Sequence, residues 1–250
     1  MNKEEFNELQ KEFADYVYRY EYFLKCGYLN DLYYNQEFKE EIKRNSELEF
    51  ENSALYTAIN EKQTKPDFDL DKYLEFAKGQ LKLLHSNIEE KQRKAEYTVG
   101  NSERLTVDQK KDFEKEYLDV INKYHPVVRV FVQEKEKEIY NRLRAFYNNN
   151  DIAGFKEFLD LNKNVFAPID YADDTYTKVA GFYYQNQKSI NADYTKKVDT
   201  YPYNKAKVLT DDIAIARERA ELSVGYTKLT RDNQSLKAKF KEIFGTDFAI

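Results

Sequence analysis

The chain has 250 residues, a formal net charge of −5, 34% charged residues, 7 glycines and 4 prolines. This length is enough to bury a sizeable core without metals or disulfides, and the scarcity of glycine and proline favours long solvated helices over a turn-rich β protein. Because acidic and basic residues are interspersed, the sequence contains no basic stripe for a phosphate backbone, which argues against nucleic acid as a partner.

Cysteine and histidine are too scarce for crosslinks or a metal cluster. Cys26 is the single cysteine, which excludes an internal disulfide, and we interpret it as a small buried hydrophobic residue. His85 and His125 are far apart in sequence and do not supply a Cys/His zinc cluster. The N-terminus lacks a hydrophobic signal segment, and no apolar run approaches the roughly 20 residues of a membrane span. We therefore expect a cytoplasmic protein with no membrane segment, no metal and no cofactor.

The prolines predict where the helices end. Proline inside a helix removes a backbone donor and clashes with the preceding turn, at a cost of ~3 kcal/mol. Joints are therefore expected at Pro66, Pro126, Pro168 and Pro202. Between these joints the apolar residues recur at steps of three and four, which predicts amphipathic helices.

The first hundred residues are predicted to form an antiparallel helical hairpin with coiled-coil packing. Its first arm runs to a tip at residues 65–67, with an irregularity at Gly27 because glycine is a poor helix former. Its second arm is capped by Asp69 or Asp71 and is expected to stop before Gly100. Residues 1–100 are thus the first predicted segment.

The second predicted segment, residues 101–164, contains three short helices. The first begins at a capping box from Thr106 to Gln109 and ends at His125-Pro126. The second covers residues 134–147, and the third covers 152–161 after a capping turn rich in asparagine.

The third predicted segment, residues 165–250, is a second hairpin. Apolar stripes run through residues 172–190 and 215–243, on either side of a joint at Tyr201-Pro202-Tyr203-Asn204. Asn233 falls on the last stripe, where a buried polar residue typically fixes helix register. A ligand-binding role for Asn233 is the alternative interpretation.

The middle segment resembles part of a known family. Lys110 to Leu161, with Glu116–Pro126 followed by Glu136–Tyr147, resembles helices II and III of a J-domain, and the His-Pro pair lies where that family places it. The predicted hairpins, the asparagine-rich turn and residues 201–204 are also similar to a group of bacterial coiled-coil proteins with an embedded J-domain-like segment. The predicted fold is therefore all-α, with two long antiparallel, coiled-coil-like helical hairpins flanking a short J-domain-like unit.

The resemblance implies contact with a chaperone, but this chain departs from the family pattern. In J-domains a His-Pro-Asp loop engages the seventy-kilodalton heat-shock chaperone and promotes its ATP hydrolysis, and a basic face of helix II attracts that chaperone. Val127 occupies the aspartate position and cannot accept charge-assisted hydrogen bonds from arginine, each worth roughly 1.5 to 3 kcal/mol. Acidic residues also interrupt the basic face, which weakens long-range steering.

The candidate partner-binding residues are those of the turn and the lysines before it: Tyr124, His125, Pro126, Val127, Lys110, Lys111, Lys115 and Lys123. The structural alternative is that His125-Pro126 simply ends a helix, because histidine is favourable at the negative helix end and proline blocks continuation.

Enzymatic motifs are absent from the sequence. It contains no phosphate-binding glycine loop, dinucleotide fingerprint, hydrolase elbow or zincin histidine pair, and its adjacent carboxylates point to different sides of a helix. We therefore predict no catalytic residue.

The chain is unusually rich in tyrosine, with 22 residues, and two interpretations of them stay open. They fill contacts between helices with their hydroxyls reaching water, or they form a partner surface.

Two functional hypotheses follow. The first is a non-catalytic helical scaffold or adaptor that mediates protein–protein interaction, in which the J-domain-like segment is a structural relic. The second is a specialised cochaperone that contacts a seventy-kilodalton heat-shock chaperone despite Val127. The predicted partners are accordingly a protein, with that chaperone as one candidate, and a second copy of the chain.

Overall fold

The computed structural model describes residues 1–130, 132–166 and 171–250, and in these ranges the chain is all-α. The predicted all-α class is therefore confirmed, while the predicted joint at Pro168 lies outside the described residues. The α-helices in this part of the chain are α1 (Lys3–Glu37), α2 (Lys39–Thr64), α3 (Leu70–Glu103), α4 (Val107–Tyr124), α5 (Pro126–Arg129), α6 (Glu134–Asn148), α7 (Ile152–Asn162), α8 (Tyr176–Lys197) and α9 (Asp212–Phe244).

Three helices begin at caps that the sequence predicts. The Thr106 hydroxyl accepts a hydrogen bond from the Gln109 N–H at 3.2 Å, and the Gln109 side chain accepts from the Thr106 N–H at 2.9 Å, which completes the capping box of α4. Asp69 accepts from the Lys72 N–H at 3.1 Å before α3. Asp151 accepts from the Gly154 N–H at 2.9 Å and caps α7.

The two glycines that were expected to interrupt helices do not do so. Helix α3 continues through Gly100 and ends at Glu103, so the predicted stop was wrong. Helix α1 is also continuous through Gly27, where a Cβ atom would lie 2.2 Å from Cε1 of Tyr203. The Tyr203 ring stacks on Phe23 with centroids 4.3 Å apart. Glycine is therefore needed at position 27 for the close approach of a ring, because it has no side chain.

The chain divides into two compact units, and neither is continuous in sequence. Unit 1 contains residues 1–31 and 96–205, and unit 2 contains residues 32–95 and 206–250. The division therefore falls inside helices α1 and α3. The three consecutive segments expected from the sequence (1–100, 101–164 and 165–250) stay a prediction about domains.

Unit 1 has an aromatic core. The fully buried rings of Tyr117 and Tyr147 stack with centroids 3.7 Å apart, and Phe155 lies edge-on to Phe113. Phe13 of α1 stacks on Tyr183 of α8 at 4.4 Å. These tyrosines therefore pack in the core, in agreement with the interpretation that tyrosines fill contacts between helices. The expectation that the hydroxyls reach water is wrong for Tyr117 and Tyr183, which hydrogen-bond within the protein.

Helices α2 and α9 run parallel through unit 2. The side-chain amide of Asn45 donates to the Leu222 carbonyl at 3.0 Å, and that of Asn52, one heptad later, donates to the Leu229 carbonyl at 2.9 Å. Both pairs have the same separation in sequence, so the two helices advance in the same direction. Asn233 is buried in this seam and donates to Asn52 Oδ1 at 2.8 Å, as a register-fixing residue would.

The arrangement of two hairpins is not confirmed. The predicted second hairpin would pair α8 with α9, but α8 belongs to unit 1 and α9 to unit 2, where it lies along α2. Helix α3 also contacts α2, since the Tyr73 hydroxyl donates to the Ala54 carbonyl at 2.9 Å. Hydrophobic periodicity therefore identified the helices, whereas the choice of neighbour required the tertiary structure.

Candidate functional site at the His125-Pro126-Val127 turn

The turn lies between two helices, as the sequence predicts. Helix α4 ends at Tyr124, and Pro126 begins the short helix α5, where its missing N–H group costs nothing. His125 connects the two helices, and its Nδ1 atom accepts a hydrogen bond from the Val127 N–H at 3.0 Å. Because Nδ1 is the acceptor, the neutral imidazole carries its proton on Nε2.

The other edge of the imidazole faces a buried carboxylate. His125 is 7% exposed, and its Nε2 lies 3.7 Å from Oε1 of Glu21, which is also buried. The second oxygen of Glu21 lies 2.5 Å from Nε of Arg144. The ring of Tyr140 packs edge-on to the imidazole, with centroids 4.6 Å apart. Both nitrogens of His125 are therefore directed at groups of the same chain.

A tyrosine pair lies beneath this cluster. The hydroxyls of Tyr117 and Tyr140 are 2.9 Å apart and hydrogen-bonded in the core. Burial raises the pKa of both phenols, because the charged phenolate is poorly solvated there. The two hydroxyls therefore stay neutral and act as hydrogen-bonding partners of each other.

Helix α5 is tied to its neighbours by a buried ion pair. The guanidinium of Arg129 lies 3.0 Å from Oε1 of Glu136 on α6, and it donates to the Lys123 carbonyl at the end of α4 at 2.9 Å. Oε2 of Glu136 accepts from the Gln133 N–H at 2.8 Å. Both charged groups are buried and mutually compensated, so the pair links α4, α5 and α6 in one network.

Two tyrosine hydroxyls hydrogen-bond to backbone carbonyls of α5. The hydroxyl of Tyr183 on α8 donates to the Val128 carbonyl at 2.7 Å, and the hydroxyl of Tyr171 donates to the Arg129 carbonyl. The next residue, Val130, has a φ of 60°, which β-branched residues rarely adopt. The two hydrogen bonds therefore lie directly before a residue with an unfavourable backbone conformation.

The predicted partner-binding residues differ in their exposure to solvent. Lys110, Lys111, Lys115 and Lys123 have exposed side chains on α4, and Lys115 lies 3.6 Å from Asp112. His125 is buried, Pro126 and Val127 are half-buried, and the Tyr124 ring stacks on Phe166 with centroids 4.1 Å apart. The structure thus separates exposed lysines from a turn whose histidine faces inward.

Sequence reasoning did not identify the residues that surround His125. No site role was assigned to Glu21, Arg144 or Glu136 from the sequence. Glu21 follows Phe13 and Val17 at steps of four residues, so its position on a buried stripe of α1 was a usable signal. Arg144 and Glu136 carry no comparable signal, because their burial depends on which helices pack against α6.

Comparisons with known proteins identify no family for this chain. No protein-family model matches it, and searches of curated proteins and of solved structures found no match. Within residues 1–130, 132–166 and 171–250, no helix is both long and apolar enough to span a membrane. The same residues contain no cluster of three or more histidine, cysteine, aspartate or glutamate side chains arranged to hold a metal ion.

Proposed function

We propose that this protein is a non-catalytic helical scaffold or adaptor that binds a protein partner, and that its J-domain-like turn is a structural element. The burial of His125 carries this proposal. Its ring is 7% exposed, accepts a hydrogen bond from Val127 and faces Glu21. A histidine that docks a chaperone has to offer its ring to that partner, whereas this ring joins the parts of unit 1.

The environment of Val127 supports the same conclusion. Its backbone N–H is engaged by His125, and its side chain packs against the hydrophobic core of unit 1. The charge-assisted hydrogen bonds that an aspartate would offer here, roughly 1.5 to 3 kcal/mol each, are missing. The position therefore contributes to packing instead of to charge recognition.

Helix α3 offers an exposed apolar face for a partner. Phe76 is 62% exposed and Leu83 is 57% exposed, and their spacing of seven residues places both on one side of the helix. Large apolar side chains that cluster on a surface commonly mark protein interaction sites. A helical partner that adds its own apolar stripe to this face would suit an adaptor function.

A chaperone ATPase assay tests the proposal against the cochaperone alternative, which is favoured by the exposed lysines of α4. The assay compares the wild type with His125→Gln and Val127→Asp at matched concentrations. We expect no stimulation of a seventy-kilodalton chaperone by the wild type or by His125→Gln. Stimulation by the wild type that His125→Gln abolishes would establish the cochaperone function instead.

A second experiment tests the adaptor surface directly. Phe76→Ser and Leu83→Ser, alone and together, should abolish co-purification of a protein partner, while Lys78→Ser on the same helix should leave it intact. Light scattering over a range of concentrations tests whether a second copy of the chain is that partner. A stable monomer at all concentrations would remove the predicted homodimer.

A further inference from the structure

A second feature of unit 1 shares no lining residue with the His125 turn and is independent of the adaptor function. A cavity of about 170 Å³ adjoins α1 and the start of α4. The polar and nucleophilic side chains that line it are Tyr22, Lys25, Cys26, Ser102, Lys110, Glu114 and Asn150. This volume accommodates about five water-sized groups, which corresponds to a small organic molecule.

The amine of Lys25 is the unusual group in this cavity. Lys25 is 7% exposed, and its Nζ lies 3.7 Å from the centroid of the Tyr147 ring and 5.7 Å from that of Phe113. Lysine is rarely this buried unless it is paired with a carboxylate. Here aromatic faces take the place of such a pair in the described contacts of the nitrogen.

The cavity leaves this amine partly uncharged near neutral pH. Burial lowers the pKa of Lys25 to about 8, with the carboxylate of Glu114 opposing the change and the ammonium of Lys110 adding to it. On the order of a tenth of the molecules therefore carry a neutral Lys25 amine at pH 7, compared with less than about a thousandth for an ordinary lysine. A neutral amine has the lone pair that nucleophilic attack requires.

We propose that Lys25 is a nucleophilic lysine that forms an imine with a small aldehyde bearing a carboxylate. The Nζ lone pair forms a bond to the carbonyl carbon, and the carbonyl π electrons move to oxygen. A proton passes from nitrogen to that oxygen and gives a carbinolamine. Loss of the hydroxyl group with a further proton, as water, leaves a carbon–nitrogen double bond. No oxidant or reductant takes part.

The other cavity residues determine which aldehyde is accepted. Lys110 supplies a cation for the ligand carboxylate, and the Asn150 amide and Ser102 hydroxyl supply hydrogen bonds. Glu114 is the lining carboxylate that accepts and returns the protons of the dehydration step. Cys26 is a poor competitor for the aldehyde, because burial raises the pKa of its thiol and disfavours the thiolate.

Reductive trapping tests the proposal. The folded full-length chain is incubated with glyoxylate and cyanoborohydride at pH 7, and the labelled lysines are mapped by peptide mass spectrometry. We expect Lys25 to be labelled at least about tenfold faster than the exposed Lys111, because Lys25 lines the cavity and burial lowers the pKa of its amine. Lys25→Arg should remove this fast phase and leave the slow labelling of the other lysines unchanged.

Further experiments test the selectivity for a carboxylate-bearing aldehyde and the need for the folded protein. Acetaldehyde, which has no carboxylate, should label Lys25 more slowly than glyoxylate, and Lys110→Met should abolish that preference, whereas Lys111→Met should preserve it. Unfolding the wild type in urea should equalise all lysines. Labelling of Lys25 at the rate of exposed lysines in the folded protein would overturn the proposal, and so would equal rates for the two aldehydes. Circular dichroism confirms that each variant is folded.

Discussion

The His125 turn and the Lys25 cavity both bury ionisable side chains in unit 1, but they compensate the charges in different ways. At the turn, Arg129 faces Glu136 and Glu21 faces Arg144, each within 3.0 Å. In the cavity, the nitrogen of Lys25 lies over aromatic rings. A buried charge that is paired with an opposite charge stabilises one conformation. A buried amine that lies on aromatic rings instead has a lowered pKa, and its neutral form can act as a nucleophile.

The largest effect is expected from breaking the compensated pair at the turn. Glu136→Leu leaves the Arg129 guanidinium buried without its carboxylate and removes the acceptor for the Gln133 N–H. We expect a loss of about 3 to 5 kcal/mol in the free energy of unfolding, measured by urea denaturation. The control is Glu134→Gln, which alters an exposed pair with Lys137 and should change stability by less than about 1 kcal/mol. Equal losses for both variants would show that burial at the turn is unimportant.

The second effect is a pH dependence of the free energy of unfolding, which we expect from Lys25 in the cavity. The pKa of Lys25 in the folded chain, about 8, lies below its ordinary value of 10.5, so the unfolded chain binds more protons between these values. Wild-type stability attributable to Lys25 therefore rises with pH across this window. Lys25→Met should be more stable than the wild type by about 1 to 3 kcal/mol at pH 7.

That advantage should shrink as the pH rises toward the ordinary pKa of lysine. Urea denaturation at a series of pH values measures it as the difference between the two proteins. The two proteins differ only at position 25, so the pH dependence of this difference reports on Lys25 and its surroundings. A difference that does not vary with pH would contradict a lowered pKa of Lys25 in the folded chain.

A smaller effect is expected beneath the turn. Tyr140→Phe removes one member of the hydroxyl pair and leaves the buried Tyr117 hydroxyl without this partner. Thermal or urea unfolding should show a loss of about 1 to 2 kcal/mol. Tyr184→Phe, at an exposed position on α8, should change stability by less than about 0.5 kcal/mol and serves as the matched control. A Tyr140→Phe variant as stable as this control would show that the pair contributes only packing.

The smallest effect concerns the charge environment of Lys25. Lys110→Met removes a like charge that lowers the pKa of Lys25, so less of the amine is neutral at pH 7. The rate of reductive labelling by acetaldehyde should fall by about twofold. Lys111→Met, outside the cavity lining, should leave this rate unchanged. A faster reaction in Lys110→Met would show that the influence of Lys110 on the amine has the opposite sign.

Local rules predicted much of the helical structure. The capping residues Thr106 and Asp151 begin helices because a side-chain oxygen satisfies a free backbone N–H within three residues. Gly27 shows the limit of such rules. Its backbone is helical, and glycine is needed there because the ring of Tyr203, far along the chain, approaches closely. The parallel pairing of α2 with α9 is equally non-local.

The position of the His125-Pro126 turn was predicted from the sequence, but its environment was not. The His125-Pro126 pair identified the end of α4 because a proline cannot continue the preceding helix. Whether His125 faces solvent or Glu21 depends on α1, more than a hundred residues earlier in the chain. Lys25 carried no motif, and its burial became visible only with Tyr147 and Phe113 in place around it.

By itself, the sequence determined the all-α class, the capped starts of α3, α4 and α7, and the break at His125-Pro126, because helical periodicity, caps and proline sterics act over a few residues. Only the tertiary structure decided that α9 lies along α2, that His125 is turned inward, and that the nitrogen of Lys25 lies over the ring of Tyr147. The physical reason is that burial and electrostatic compensation depend on neighbours from distant parts of the chain, and local propensity carries no information about those neighbours.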